Sequence, residues 1–527
     1  MRRGRARRAA GGAGAGECGV RVDGQADSRD PALAGALGVD RPRLGLPGSA
    51  SLWQGARVTH VLVVDVGSSS VRAAICDGSA QIVAETAEAY SFTVAADGTS
   101  EVDARRLQGM VERCVDRILT NAAPIEAVAL ATFVGNLLGV DGENQPVTPV
   151  YTYADTRPAP EAALLAAEGG IASLYQATGC PLHTAYHPAR LRWYARARGA
   201  APAIWLDFAT YLYRAWFGRE VPCSHSVASW SGLFDRASRS WSAEWLARLG
   251  LGPERLPALA DFREAEVGLA SAHGERWPAL RDVPFFLAIG DGAAAHIGGG
   301  AISPRSTSLT VGTTAALRQL RMAEVPPGEV PEGLWAYRLD ERRELVGGAT
   351  SEGGNVHAWA RAHLKLDAEP LAFREPFAHG LTVLPMFAGE RSPGYRADAT
   401  ATLHGLRLST TAFDIVQALF ESVALRISQV HDALGGSDAL HAGGGALHAS
   451  PDWAQMFADA MQTPVYLMGE EATLRGAAML LLEALGKGAL DVFAPRVSRI
   501  FEPRAEVAEV VRAAKERQIE LYRRLYS

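Results

Sequence analysis

The chain has 527 residues, 48% apolar and 21% charged, with a net charge of −6. That length exceeds one ordinary core, so two large domains are expected. The acidic balance argues against nucleic acid as main partner, and no apolar run reaches the ~18 residues that span a bilayer. A cytoplasmic globular protein without membrane contact, monomeric or homodimeric, is the expectation.

Residues 1–57 open with Met1-Arg2-Arg3-Gly4-Arg5-Ala6-Arg7-Arg8 and continue in Ala, Gly, Asp and Pro without periodicity. They hold ten arginines against five acidic residues, about +5, which leaves about −11 on the remainder. They lack the apolar stretch of a secretory signal, and a disordered N-terminal extension is expected. From residue 58 the pattern turns β-rich. Residues 61–64 are a continuous apolar run and predict a buried strand. Two more strands follow at 71–76 and 81–85, joined by the turn Asp77-Gly78-Ser79. The spacing at 103–119 predicts an amphipathic helix, and 125–132 another strand. Residues 137–140 lead into the turn Asp141-Gly142-Glu143-Asn144, and 173–199 are read as mostly helical. A strand at 284–289 ends at Asp291, and a helix starts near 293.

The second half repeats the theme. A strand at 307–311 runs into Gly312-Thr313-Thr314. A strand at 345–347 ends at the glycine cluster 347–354, and a helix follows. A long helix covers 412–434. A short strand at 439–442 meets Gly443-Gly444-Gly445, and helices cover 453–461 and 473–485. Both halves start with a strand and a phosphate-type turn, which points to duplication, with a boundary near 301–306.

Five cysteines (Cys18, Cys76, Cys114, Cys180, Cys223) are widely spaced with no C-x-x-C pair. Free thiols in a reducing compartment fit better than a disulfide framework or a zinc site. Only three lysines occur, Lys365, Lys487 and Lys515, and no G-x-x-x-x-G-K-[ST] is present, so a P-loop lysine is excluded.

The chemistry concentrates in four places. In Asp65-Val66-Gly67-Ser68-Ser69-Ser70-Val71-Arg72, glycine permits a tight turn whose N–H groups point at an anion. Ser68, Ser69 and Ser70 can donate to phosphate oxygens, and Arg72 adds a charge-assisted contact. Asp65 would hold Mg²⁺ or its waters. Asp291, bracketed by Gly290 and Gly292, has room for a substrate and can serve as a general base or simply start a helix. Gly312-Thr313 would approach the phosphates from the other half, and Gly444-Gly445 with Ser450 would let an adenosine lie flat.

This order of motifs, from about residue 58 to 485, resembles the FGGY family of carbohydrate kinases, of the actin-like ATPase superfamily. The first phosphate motif falls on Asp65, Gly67, Ser68, Ser69, Ser70 and Arg72. Tyr153-Ala154-Asp155-Thr156-Arg157 is similar to the family's aromatic-x-Asp-x-Arg sugar motif. The catalytic aspartate falls on Asp291, the second phosphate motif on Gly312-Thr313, a further nucleotide-site glycine on Gly348, and the adenosine motif on Gly444-Gly445 before Ser450. Within the family, Leu384-Pro385-Met386-Phe387-Ala388-Gly389-Glu390-Arg391-Ser392-Pro393-Gly394-Tyr395 and Thr178-Gly179-Cys180-Pro181 resemble segments of gluconokinases. There is one departure: related kinases carry a sugar-binding histidine where this chain has Gly135, with Asn136 next to it as a partial replacement.

The resemblance implies an α/β fold of two ribonuclease-H-like domains around a nucleotide and substrate cleft. The sugar-binding domain would span 58–302 and the nucleotide-binding domain 303–527. It implies ATP and Mg²⁺ as cofactors. The sugar would meet Thr132, Phe133, Gly135, Asn136, Asp155 and Arg157, and Asp291 would be the base. The substrate implied is D-gluconate, giving 6-phosphogluconate. The Gly135 departure keeps a pentulose or polyol kinase as the alternative, and a non-catalytic sugar-binding regulator on the same scaffold as a more distant one.

Overall fold

The computed structural model describes residues 59–526 except 121–122, 199–201, 367–372, 397, 470 and 494–495. The expected N-terminal extension 1–57 and Cys18 lie outside the described residues.

The first sheet is built on the strand His60–Val66, buried along almost its whole length. Such a continuous apolar run suits a strand covered on both faces. It pairs antiparallel with Ser70–Asp77, which pairs antiparallel with Ile82–Ala89. On its other side it pairs parallel with Ala127–Thr132. Phe285–Phe286 and Ile289–Gly290 then pair parallel with Ala127–Thr132, as two short pieces where one strand was expected. Helix Ala104–Leu119 begins at Asp103, whose side chain accepts the Arg106 N–H, and buries Leu107, Met110, Val111, Cys114, Val115 and Ile118 at helical spacing.

The second sheet has the same start. Ser306–Val311 pairs antiparallel with Ala315–Met322 and parallel with Ala439–Gly443. Arg343–Thr350 and Trp335–Arg338 extend one edge, and Val465–Met468 and Val497–Phe501 the other. In each sheet the leading strand therefore points its C-terminal turn away from a hairpin partner on one side and a parallel strand on the other. Four described cysteines, Cys76, Cys114, Cys180 and Cys223, are free and buried. No described helix is long and apolar enough to cross a membrane.

Two helices tie the halves together. Asp291–Gly298 and Ala472–Ala484 cross at backbone contact: a Cβ on Gly298 would lie 1.8 Å from the Ala472 carbonyl oxygen, and one on Gly476 1.8 Å from that of Ala294. Only hydrogen fits there. The helices run antiparallel, the end of the helix that Asp291 starts lying against the beginning of Ala472–Ala484.

Two expectations are corrected. Residues 173–199 are not one helical stretch but Ile171–Thr178 and His187–Arg198, broken where Gly179 takes φ 72° and Pro181 follows. The strand expected to stop at Gly347 continues as Arg343–Thr350. Its glycines are there for close packing: a Cβ on Gly347 would lie 2.3 Å from the Leu317 carbonyl oxygen, and one on Gly348 2.8 Å from Ser392 Oγ.

Candidate active site

Two turns face each other across the halves. After the strand His60–Val66, the Gly67 N–H donates to the Ser70 carbonyl at 2.9 Å, leaving Ser68 and Ser69 at the tip. Tyr90 braces this turn, its hydroxyl donating to the Gly67 carbonyl at 2.5 Å. After Ser306–Val311, the Gly312 N–H donates to the Thr314 carbonyl at 2.9 Å. The glycine cluster backs this second turn: the Gly354 N–H donates to the Gly312 carbonyl at 2.6 Å and the Asn355 N–H to that of Thr313 at 3.2 Å. A Cβ on Gly353 would lie 2.5 Å from the Thr314 carbonyl carbon, which explains a glycine there.

The carboxylates stand between the turns. Asp65 Oδ2 accepts from Arg72 Nη2 at 2.5 Å and Nε at 3.1 Å, while its Oδ1 is buried with no partner. Arg72 also pairs with Glu471 from the other half. Asp291 Oδ1 accepts its neighbour's N–H, that of Gly292, at 2.7 Å. Burial, and then the negative charge of Asp65, outweigh the Gly292 N–H and the Arg318 guanidinium, and push the Asp291 carboxyl up to about 7. Burial likewise raises Asp65 against the pull of Arg72. A carboxylate held near neutrality in a cleft suits a group that takes a proton during a reaction.

A cavity of about 330 Å³ opens at Asp291. Ser68, Gly312 and Thr314 line it on the turn side; Gly135, Tyr153, Trp230, Arg318, Tyr337 and Arg391 line it elsewhere. Tyr337 stacks on Trp230 at 3.8 Å and on Trp335 at 4.3 Å, the two indoles lying 5.4 Å from each other, and its hydroxyl meets that of Tyr186 at 2.5 Å. Trp230 Nε1 and Arg318 Nε are buried without partners. Unpaired buried donors are rare, and two from residues lining one cavity mark a ligand site. A second cavity, of about 300 Å³, is lined by Arg72, His441, Gly443, Gly444, Gly445, His448 and Glu471. Both cavities share Ala295, Thr310 and Thr473, so they form one continuous cleft. Gly444 takes φ 106°, and a Cβ on it would lie 2.4 Å from the Val311 carbonyl oxygen.

The fold thus brings together Asp65, Gly67, Ser68, Ser69, Asp291, Gly312 and Thr313 at the paired turns, Gly135 on the first cavity, and Arg72, Gly444 and Gly445 on the second. Ser70 has entered the strand behind its turn. Other candidates do not line the cleft. Thr132 is fully buried and its hydroxyl donates to the Phe133 carbonyl at 3.4 Å; Phe133 packs on Phe92 at 5.6 Å. Asn136 cannot stand in for an imidazole: its Oδ1 accepts the Phe208 N–H at 2.7 Å and its Nδ2 donates to the Phe133 carbonyl, so the amide is used up in the core. Asp155 and Arg157 satisfy each other at 2.5 Å, with Arg157 also on Glu101 at 2.8 Å and over the Trp193 ring at 4.8 Å. Their neighbour Tyr153 reaches the cavity instead. Gly348 lies inside its strand against Ser392 and Val430, and the Ser450 N–H donates to the Ala446 carbonyl at 3.1 Å at the start of a helix, leaving His448 on the cavity.

Trp230, Tyr337, His448 and Glu471 carry no motif in the sequence, and Arg391 lies in the 384–395 segment without being singled out there as a site residue. Arg318 had a signal: it follows the buried run Ala315-Ala316-Leu317 at the two-residue spacing of Ala316, a charge where a core residue was due. Among the described residues no group of three or more His, Cys, Asp or Glu gathers as a metal site. The free Asp65 oxygen beside a second carboxylate still fits a divalent cation whose remaining ligands are water and phosphate oxygens.

Comparison with known proteins matches two family models, the N-terminal domain of the FGGY family of carbohydrate kinases at residues 60–298 and its C-terminal domain at 307–485. A gluconokinase of Bacillus subtilis is 24% identical over 457 residues, covering 81% of this chain and 88% of that protein. A glycerol kinase of Delftia acidovorans is 27% identical over 420 residues, covering 73% and 80%. The crystal structure of gluconate kinase from Lactobacillus acidophilus superposes with a TM-score of 0.81 at 21% identity, covering 89% of this chain and 98% of that one. A ligand-bound xylulose kinase of the same organism gives 0.83 at 22% identity, covering 89% and 99%.

Proposed function

Because this chain belongs to the FGGY family of carbohydrate kinases, and so is an ATP-dependent phosphotransferase acting on an alcohol group, we propose that it phosphorylates a terminal hydroxyl of a sugar acid, D-gluconate, giving 6-phosphogluconate. The observation that carries the reaction is Asp291, raised to about 7 on the cavity that Ser68, Gly312 and Thr314 of the two turns also line. Similarity to gluconokinases, spread over most of the chain, supports the acceptor.

In this reading the adenosine lies over Gly443, Gly444, Gly445 and His448. The phosphates run between the Gly67–Ser68 and Gly312–Thr313 turns; the Gly67 and Gly312 N–H groups close those turns, which leaves the Ser68, Ser69 and Thr313 N–H groups and hydroxyls for the phosphates. The acceptor hydroxyl lies against Asp291. Its oxygen attacks the γ-phosphorus and forms the new O–P bond. The bond to the bridging oxygen breaks, ADP leaves with that electron pair, and the hydroxyl proton passes to Asp291. Asp65 would hold Mg²⁺ through its free Oδ1 or a bound water, and that ion supplies charge to offset the phosphates. Arg72, tied to both Asp65 and Glu471, keeps Asp65 turned toward the cleft. Positioning and charge neutralisation supply most of the rate, as in phosphoryl transfer generally.

A second reading, a pentulose or polyol kinase, draws on Gly135. At φ 68° it lines the cavity without a side chain, so no imidazole stands there to select a hydroxyl pattern. Release of ADP from Mg-ATP across D-gluconate, D-xylulose, L-ribulose and glycerol separates the two. Preferred turnover of gluconate supports the first reading. Turnover of a neutral acceptor with none on gluconate contradicts it.

A further inference from the structure

Two guanidiniums enter the substrate cavity from separate segments of the second sheet's half. Arg318 comes from the strand Ala315–Met322 and Arg391 from the loop after Thr382–Leu384. Arg318 Nη1 donates only to Thr310 Oγ1, at 3.3 Å, and its Nε is buried and unpartnered. Arg391 makes no side-chain hydrogen bond or ion pair among the described residues. Each guanidinium repels the other, and the one acidic neighbour of Arg318 is Asp291. Arg391 faces His183, Tyr186 and Tyr395, none of them anionic at neutral pH.

Elsewhere buried arginines are paired or spent on backbone carbonyls: Arg236 meets Glu344 and Arg426 meets Glu390, while Arg190 donates to the Gly135 and Ala185 carbonyls and Arg338 to that of Arg236. Arg318 and Arg391, both half-buried, have neither a carboxylate hydrogen bond nor such carbonyl partners among the described residues, so their donors at this cavity are left open to an anion. Their order fixes where that anion goes. Arg318 stands beside Asp291: a Cβ on Gly292 would lie 3.3 Å from Arg318 Nη2. Arg391 lies on the side of Tyr186 and Tyr395. The phosphate turns lie at Ser68, Gly312 and Thr314. The cavity therefore runs from the reacting hydroxyl at Asp291, past Arg318, to Arg391.

We propose that Arg391, with Arg318 beside it, receives the carboxylate of an open-chain sugar acid whose far hydroxyl lies at Asp291. A guanidinium presents parallel N–H donors that match a carboxylate, which a neutral sugar cannot use. The unpartnered Trp230 indole N–H then serves a hydroxyl along the chain. This inference rests on the sugar-acid reading and names the residues that select it.

The test is steady-state kinetics of the full chain with Mg-ATP, comparing D-gluconate, its neutral amide and D-xylulose, for wild type, Arg391→Met and Arg391→Lys. ADP affinity is measured alongside as a check that each variant is folded. Loss of a charge-assisted pair predicts a KM for gluconate raised about 10-fold or more in Arg391→Met, with kcat and ADP affinity little changed. Arg391→Lys should recover only part, since an ammonium lacks the planar fork. In wild type, gluconate should bind at least about 10-fold more tightly than its amide, a comparison that needs no variant. If gluconate is turned over but its KM ignores both the amide swap and Arg391→Met, this assignment fails and the kinase reading stands. An equal fall in kcat on every acceptor moves Arg391 to the phosphates and also overturns it. Turnover of xylulose with none on any sugar acid overturns the sugar-acid reading, and this inference with it.

Discussion

Gly298 and Gly476 meet backbone to backbone, so that a Cβ on either would come within 1.8 Å of a carbonyl oxygen of the facing helix. No rotamer change relieves such a contact, because the obstruction is main chain. Gly476→Ala must push the two helices apart, and the helix pushed carries Asp291. Overpacking costs typically 1–3 kcal/mol. The expected result is a lower thermal midpoint together with reduced turnover. Gly109→Ala is the control: its Cβ would meet only Arg113 Nη1, at 3.4 Å, inside an ordinary helix. That change should stabilise by about 0.5–1 kcal/mol, from lost unfolded-state freedom. If both alanine variants melt alike, the crossing is not the constraint described.

Arg236 and Glu344 form a buried pair at 3.0 Å, and Arg236 also donates to the Gly328 carbonyl at 3.2 Å. The two residues belong to different halves of the sequence. Removing one partner strands a buried charge, at about 3–5 kcal/mol. Glu344→Ala should therefore lower the urea midpoint strongly, whereas Arg305→Ala, whose partner Asp438 is exposed, should barely move it. Equal midpoints for the two variants would contradict the assignment.

The Asp291 proton couples stability to pH. Its folded-state carboxyl stands at about 7, against an ordinary value of 3.8. Between those values the folded chain holds a proton that the unfolded chain has released. Stability from this group is thus fully present below the unfolded value and falls as pH rises through the window to about 7. An amide at this position stays neutral throughout. Without nucleotide, the Tm of Asp291→Asn should exceed that of wild type at pH 8, and the gap should shrink toward pH 5. A gap independent of pH would remove the buried-carboxylate account.

Much of the site was legible because glycine and hydroxyl turns follow apolar strands at fixed places. Asp65, Gly67, Ser68, Asp291, Gly312 and Gly444 needed only that local grammar. Gly348 misled because a glycine in a strand serves close packing as readily as a ligand, and the sequence does not say which side Ser392 approaches from. Asn136 misled because its partner, the Phe208 N–H, lies 72 residues on. Asp155 and Arg157 read as substrate contacts, yet two residues apart they can neutralise each other, and here they do. Trp230, Tyr337 and Arg391 come from three distant segments whose convergence only tertiary packing reveals. The sheets themselves were legible from apolar runs, and the break at Gly179 was marked too, by Gly179 and Pro181, although the helical reading ran across it.

The central claim is that Asp291 takes the acceptor's proton as the γ-phosphate is transferred. The most direct measurement is kcat for ADP release by Asp291→Asn at pH 8, with ADP affinity measured on the same preparation. The account predicts a loss of about 10²-fold or more in kcat with ADP affinity nearly unchanged, while wild-type kcat falls below pH ~7 as the carboxyl protonates. A variant kcat within about threefold of wild type, or wild-type activity flat from pH ~5 to ~8, would contradict it.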